Sequence, residues 1–452
     1  MLAQEDIAAK ERLLTEDEDV PEPKSSFFSI LTLLKIVLAC SMLGSILTVA
    51  GLVAAAYGKH HKASYTTGAE NKYTATQPAS VYAAQATALT SSPTSNVGGK
   101  AFDRIMIIWN ENTDYTMAAN DPSLALLAKQ GITLSNYFGV THPSEPNYCA
   151  SLGGDNFGMD NDAFNQIPTN VSSVMDLLDD KKISWGAYQE DLPFSGFEGF
   201  GWVNQVSQAN DYVRKHNPPV LYNSIATRTD RLSQIKNVTQ FHTDYKNNKL
   251  PQWMFITPNM TSDGHDTSVT VAGLWTLNFL TPLLQDSNFM ERTLILITFD
   301  ENHTYSIGNR VFSLLLGGVV PKSLQGTTDD NYYNHYSGLS TVEANWGLHT
   351  LGRFDIGANV FKLVADQTND QVRTWPQITG SNPTIFSNQS FAGAFSSENT
   401  KVPFPAPNIN AVVNGRTVLP AIRKTWAKSK NSYYTTDVQI PDGLNPPAGY
   451  AI

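Results

Sequence analysis

The sequence predicts an α/β fold: a mostly parallel central sheet flanked by helices, preceded by an N-terminal hydrophobic segment. Two observations carry that expectation. Apolar runs at 105–109, 132–138, 183–188, 253–257 and 311–320 alternate with stretches of helical character, which is the pattern of βαβ units. The stretch 292–303 passes through Leu294-Ile-Leu-Ile297 without alternation and stops abruptly at Asp300-Glu301, as suits a strand buried on both faces of a parallel sheet. With 41% apolar and 10% aromatic residues in a chain of 452, there is ample material for a sizeable core.

In chain order, residues 1–26 form a polar acidic tail with Glu16-Asp17-Glu18-Asp19, Pro21 and Pro23, and nothing in it is foldable alone. Residues 27–57 are hydrophobic apart from Lys35, and 36–57 is long enough to cross a bilayer as a signal anchor. A second reading starts at Met42 and takes 43–53 with Ala54-Ala55-Ala56 as a cleaved signal peptide. Either way the folded part is exported, as a secreted or a cell-surface, membrane-anchored protein that meets a membrane only through this segment. Residues 58–100 read as a flexible Ser/Thr-rich linker.

The folded domain is expected over 101–385. After the strand at 105–109 comes a helix over 121–131, with Asp121 at its start, Pro122 in its first turn and Gly131 as its stop. A strand at 132–138 is followed by a helix through 181 capped by Ser172 or Ser173, then a strand at 183–188. Residues 191–219, rich in Gly, Asn and aromatics, read as an insertion or lid near a site. Helical character over 222–248 and 269–285 brackets the strand at 253–257, and helices are expected at 335–348 and 352–365. Residues 386–452 form a Pro- and Ser-rich extension that packs on or wraps the domain.

The formal charge of −10 excludes general nucleic-acid affinity, because no basic excess exists to neutralise a phosphate backbone, but small phosphorylated substrates remain compatible through a local metal. Two cysteines, Cys40 and Cys149, give no disulfide framework. Five sequons begin at Asn170, Asn237, Asn259, Asn302 and Asn388; of these Asn170, Asn237 and Asn388 are the glycosylation candidates, since Asn259 and Asn302 adjoin the residues nominated for chemistry.

Three apolar runs end in polar clusters: Trp109 in Glu111-Asn112, Thr257 in Asn259 with Asp263-Gly264-His265-Asp266, and Phe299 in Asp300-Glu301. Parallel strands would bring all three to one sheet edge, where α/β proteins bind ligands. Glu111, Asn112, Asp300 and Glu301 offer hard oxygen ligands for one divalent ion: Mg, Ca, Mn, or Zn with a histidine. In Thr141-His-Pro-Ser-Glu-Pro-Asn-Tyr148 two prolines fix Ser144, either as a nucleophile whose hydroxyl a metal activates or as an ordinary turn residue. Among the histidines, His142 adjoins Ser144, His265 lies in the Asp-Gly-His-Asp turn and His335 begins a helix whose N–H groups suit an anion. His216, His242 and His349 read as surface or packing residues.

Glu111-Asn112, the 141–148 segment, Ser262-Asp-Gly-His-Asp266, Thr298-Phe-Asp-Glu-Asn302 and His335-Tyr-Ser337 together resemble the phosphoesterase family of phospholipases C and acid phosphatases, most nearly its secreted fungal acid phosphatases. The resemblance covers 101–385. It implies an alkaline-phosphatase-like fold, a metal on Glu111, Asn112, Asp300 and Glu301, and Ser144 as the nucleophile. It also implies contacts of His265 and His335 with phosphate or leaving group, aided by His142 and by Asn147 balancing charge. Where two-zinc members of the wider superfamily carry Asp-His, this chain has Asp300-Glu301, which points to a single metal. The expectation is hydrolysis of phosphate monoesters through a phosphoserine. A phospholipase C-type phosphodiesterase is the alternative, and an inactive cell-surface binding protein a further one.

Overall fold

The computed structural model describes residues 77–374, 387–397, 402–429, 432–443 and 446–447. The acidic tail, the hydrophobic segment with Met42 and the first part of the linker lie outside the described residues. Among those described, no helix is long and apolar enough to cross a membrane.

The strands are β1 (Arg104–Asn110), β2 (Ile132–Phe138), β3 (Trp185–Gln189), β4 (Gly201–Val203), β5 (Asn210–Val213), β6 (Ile235–Asn237), β7 (Trp253–Thr257), β8 (Thr293–Phe299), β9 (Arg310–Leu316) and β10 (Thr327–Asn334), with a short pair β11 (Val412–Val413) and β12 (Arg416–Thr417) in the C-terminal extension. Eight of them form one sheet in the order β10-β2-β9-β8-β1-β7-β3-β6, while β4 and β5 pair as a hairpin within the expected insertion. Within the large sheet β9 alone runs against its neighbours, antiparallel to both β8 and β2. The connection from Phe299 to Arg310 is too short for a crossover helix, so the strand that follows β8 must turn back.

The central strands are buried along their whole length, as their unbroken apolar runs require, and helices cover both faces. Trp109, Trp185 and Trp253 are among the largest fully enclosed side chains, each worth about 2–3 kcal/mol by burial. The Pro122–Ala128 helix starts where Asp121 accepts from Ser123 N and Leu124 N, at 2.9 and 3.0 Å. The Val269–Gln285 helix matches its sequence reading, and the His335–Trp346 helix is capped by Asn334 and stopped by Gly347 in a left-handed conformation.

Two strands of the large sheet escape the sequence reading. β10 is polar and exposed at its start, as an outermost strand can be, and β6 is a three-residue edge strand inside the region read as helical. The linker reading is corrected over its described part. Pro78–Gln85 is a helix that buries Val81, and the chain then lies along the domain as a strap. Ser92 Oγ donates to both carboxylate oxygens of Asp244 at 2.8 Å, and Ser95 Oγ to Gln252 Oε1 at 2.6 Å. An extended strap held by serine hydroxyls has no apolar period, which is why it reads as a free stalk. In the C-terminal extension Tyr433 and Tyr434 both donate to the buried Asp155.

Candidate active site

Strand order decides what meets at the sheet edge. β1 lies between β8 and β7, with Asn110 level with Phe299, so Glu111-Asn112 and Asp300-Glu301 emerge side by side. Asn112 adopts a left-handed φ of 34°. Its backbone N donates to Asp300 Oδ1 at 3.1 Å and its Nδ2 to Glu301 Oε1 at 2.9 Å. That leaves Asn112 Oδ1 and Asp300 Oδ2 buried without an aligned hydrogen bond, Asp300 lying beside Glu111 and Ser144, two oxygens able to face a cation.

Ser144 is the first residue of the Ser144–Gly153 helix, which follows β2. Its Oγ donates to Glu111 Oε2 at 3.2 Å, and Tyr148 one turn later donates to Glu111 Oε1. One helix therefore holds both oxygens of Glu111 and aims its positive end at any anion beside Ser144.

The short turn Arg214–His216 sends consecutive side chains in different directions. Arg214 is locked on the carbonyls of Glu198, Asn165 and Val220. His216, read from sequence as surface or packing, is instead buried between Glu111 and Asp263, with Nε2 3.3 Å from Glu111 Oε2 and Nδ1 3.4 Å from Asp263 Oδ2. One ligand atom from each of Glu111, His216 and Asp263 lies within 4.8 Å of the others, so this buried group can hold a metal. Lys215 Nζ contacts Asp162 Oδ2 at 3.0 Å and approaches His265 Nε2 at 3.5 Å. His265 is partly exposed, with Nδ1 on Asp266 Oδ1 at 2.8 Å.

Electrostatics match a cation site. Burial, then the charges of Asp300 and Asp263, raise Glu111 well above the usual carboxylate range. Burial likewise raises Asp263, Asp300 and Glu301, with Asp300 adding to Glu301. Four buried carboxylates repelling one another around unpartnered oxygens fit a divalent ion, which would offset both desolvation and repulsion. Burial pushes His216 well below its ordinary value, so its ring is neutral and keeps a lone pair to offer.

The other sequence candidates take different places. His335 is enclosed between Trp109 and Tyr137, with Nε2 2.5 Å from the Asp300 carbonyl and burial lowering its pKa to about 3. Its ring braces the backbone that carries Asp300. Asn147 accepts from Val140 N at 2.9 Å and donates to Thr141 O at 2.8 Å, reaching Glu301 Oε2 only at 3.5 Å, so it shapes the serine loop. His142 Nδ1 lies 2.8 Å from Glu301 Oε2 without the alignment of a hydrogen bond; its ring stacks on Tyr305, and burial lowers its pKa to about 4. Of the glycosylation candidates Asn170 is exposed. The side-chain amides of Asn237 and Asn388 donate to backbone carbonyls, of Leu192 and of Tyr305 and Ile307, and Asn302 is fully buried. The sequence signal for His216 and Lys215 was slight: a basic triplet, Arg214-Lys215-His216, at the end of the irregular insertion.

Comparison with known proteins agrees with this geometry. The model of the family described as "Phosphoesterase family" matches residues 58–349. A probable acid phosphatase of Kluyveromyces lactis is 51% identical over 350 residues, covering 76% of this chain and 81% of that protein. An acid phosphatase of Aspergillus fumigatus is 59% identical over 277 residues, 61% of this chain and 62% of that protein. A phosphate-repressible acid phosphatase of Penicillium chrysogenum is 51% identical over 356 residues, 78% and 85% of the two chains. With the family model spanning more than half of its length, the chain belongs to the phosphoesterase family.

Proposed function

We propose that this phosphoric ester hydrolase is an acid phosphatase that cleaves small phosphate monoesters through a phosphoserine on Ser144. One divalent ion would be held by Glu111, Asn112, Asp300 and Glu301. The observation that carries the reading is Ser144 at a helix N-terminus, hydrogen-bonded at 3.2 Å to a carboxylate of a buried, cation-seeking group. When bound, the ion supplies positive charge that favours the serine alkoxide and balances the phosphoryl oxygens.

The chain's own residues do the rest. Glu111 orients the Ser144 hydroxyl for in-line attack on phosphorus, and Tyr148 fixes Glu111. The helix N-terminus favours the incoming anion. His265, oriented by Asp266, protonates the leaving alkoxide from its exposed side. On attack Ser144 passes its proton to Glu111 Oε2, which it already faces; water, losing a proton to His265, then attacks the phosphoserine, phosphate leaves and Glu111 returns the proton to Ser144. The hydrophobic segment at 27–57 supports action outside the cytosol.

The test compares turnover of p-nitrophenyl phosphate with that of phosphatidylcholine, before and after chelation. The proposal expects monoester turnover that chelation abolishes and added divalent metal restores. Exclusive activity on the lipid diester would favour the phospholipase C-type alternative, and full activity after chelation would end the metal assignment.

A further inference from the structure

We infer that Lys215 is a substrate-binding residue that grips a non-bridging phosphoryl oxygen and biases the site toward monoesters over diesters. This rests on the phosphatase reading above. Lys215 is partly buried, and its ammonium is held at 3.0 Å by Asp162 Oδ2 while Asp162 Oδ1 accepts from Glu145 N at 2.9 Å. The Glu145 amide directly follows Ser144, so the pair Lys215–Asp162 sits at the mouth of the nucleophile's helix. On its other side the ammonium lies 3.5 Å from His265 Nε2. Lys215 thus joins, through Asp162, the residue after the serine to the histidine assigned to the leaving group. Its charge also reaches the carboxylates of Glu111, Asp263 and Glu301.

Charge balance gives the position a task. The four buried carboxylates outnumber the charge of one divalent ion, and a monoester brings in up to two further negative charges near neutral pH. A diester brings one. An ammonium that can trade Asp162 for a phosphoryl oxygen therefore favours the monoester. Arg214 cannot serve, because its guanidinium is committed to three backbone carbonyls.

The experiment measures kcat/KM for p-nitrophenyl phosphate and bis-p-nitrophenyl phosphate, and Ki for inorganic phosphate, in wild type, Lys215→Met, Lys215→Arg and Asp162→Asn at pH 7. Lys215→Met should lower monoester kcat/KM about 100-fold, weaken phosphate about tenfold and reduce diester cleavage by less than about fivefold, with Lys215→Arg recovering much of the loss. Asp162→Asn keeps an acceptor for Glu145 N and frees the ammonium, so phosphate should bind about threefold more tightly. Monoester and diester rates falling together, or a phosphate Ki unchanged in both Lys215→Met and Asp162→Asn, would overturn the assignment. If Lys215→Met fails to fold, the Asp162→Asn Ki alone decides. If wild type cleaves no monoester, the phosphatase reading fails by itself, and phosphate affinity measured by calorimetry still decides the role of Lys215.

Discussion

Replacing Asp300 by Asn should change stability with opposite sign in the metal-free and metal-loaded protein. Asp300 is fully buried beside Glu111 and Ser144, its Oδ1 accepts from Asn112 N, its Oδ2 has no aligned hydrogen bond, and its charge raises Glu111 and Glu301. Asparagine has the same shape, keeps the Oδ1 acceptor and removes one of four mutually repelling charges. A like-charge contact near 4 Å is worth about 4 kcal/mol at an effective dielectric of about 20; protonation of the raised carboxyls already relieves part, leaving about 2 kcal/mol. In a domain of this size that is about 4 °C in Tm. Metal-free Asp300→Asn should therefore melt about 4 °C above metal-free wild type at pH 7, while its metal affinity falls about 100-fold or more. Thermal melts with chelator and across a metal titration, with metal content by elemental analysis, read both effects. A metal-free variant less stable than wild type, or one that binds metal as tightly, would refute the reasoning.

His335→Gln tests the brace behind Asp300. A histidine whose pKa falls from about 6.5 unfolded to about 3 folded contributes stability that is complete above 6.5 and is lost as pH falls toward 3. Wild type should lose about 1.4 kcal/mol per pH unit through this residue below 6.5, so the variant, less stable at pH 7.5, should close most of the gap by pH 4.5; a gap independent of pH contradicts the buried neutral ring. His265→Ala should slow alkyl phosphates about 100-fold and p-nitrophenyl phosphate much less, because a good leaving group needs no proton; equal losses would remove His265 as the acid. Deleting the strap 77–97 takes away buried Val81 and the serine contacts to Asp244 and Gln252, and should cost about 3 kcal/mol, read as a lower Tm with unchanged KM.

How far the sequence revealed this molecule depends on what each part is made of. The buried strands were legible because a strand covered on both faces must be apolar throughout, as in β1, β7 and β8. β10 was not, since an outermost strand can carry Thr, Asp and Asn and still pair. The strap 77–100 was hidden for a related reason: its partners are hydroxyl and amide hydrogen bonds, which leave no periodic trace. Glu111, Asn112, Asp300 and Glu301 converge as expected because adjacent parallel strands end together. His216 and Lys215 come from the long irregular stretch, where no element fixes the direction of a side chain until the whole fold is formed. His335 was read as opening a helix whose N–H groups suit an anion, and its ring proves to be enclosed by Trp109 and Tyr137.

The central claim is that Ser144 carries the phosphoryl group, and acid quenching during turnover of p-nitrophenyl phosphate, followed by peptide mass spectrometry, addresses it most directly. The account predicts phosphate on Ser144 in wild type, and for Ser144→Ala no labelled peptide, intact folding and a loss in kcat of more than about 1,000-fold. Phosphate trapped on His216 or His265 instead, or substantial turnover by Ser144→Ala, would contradict it.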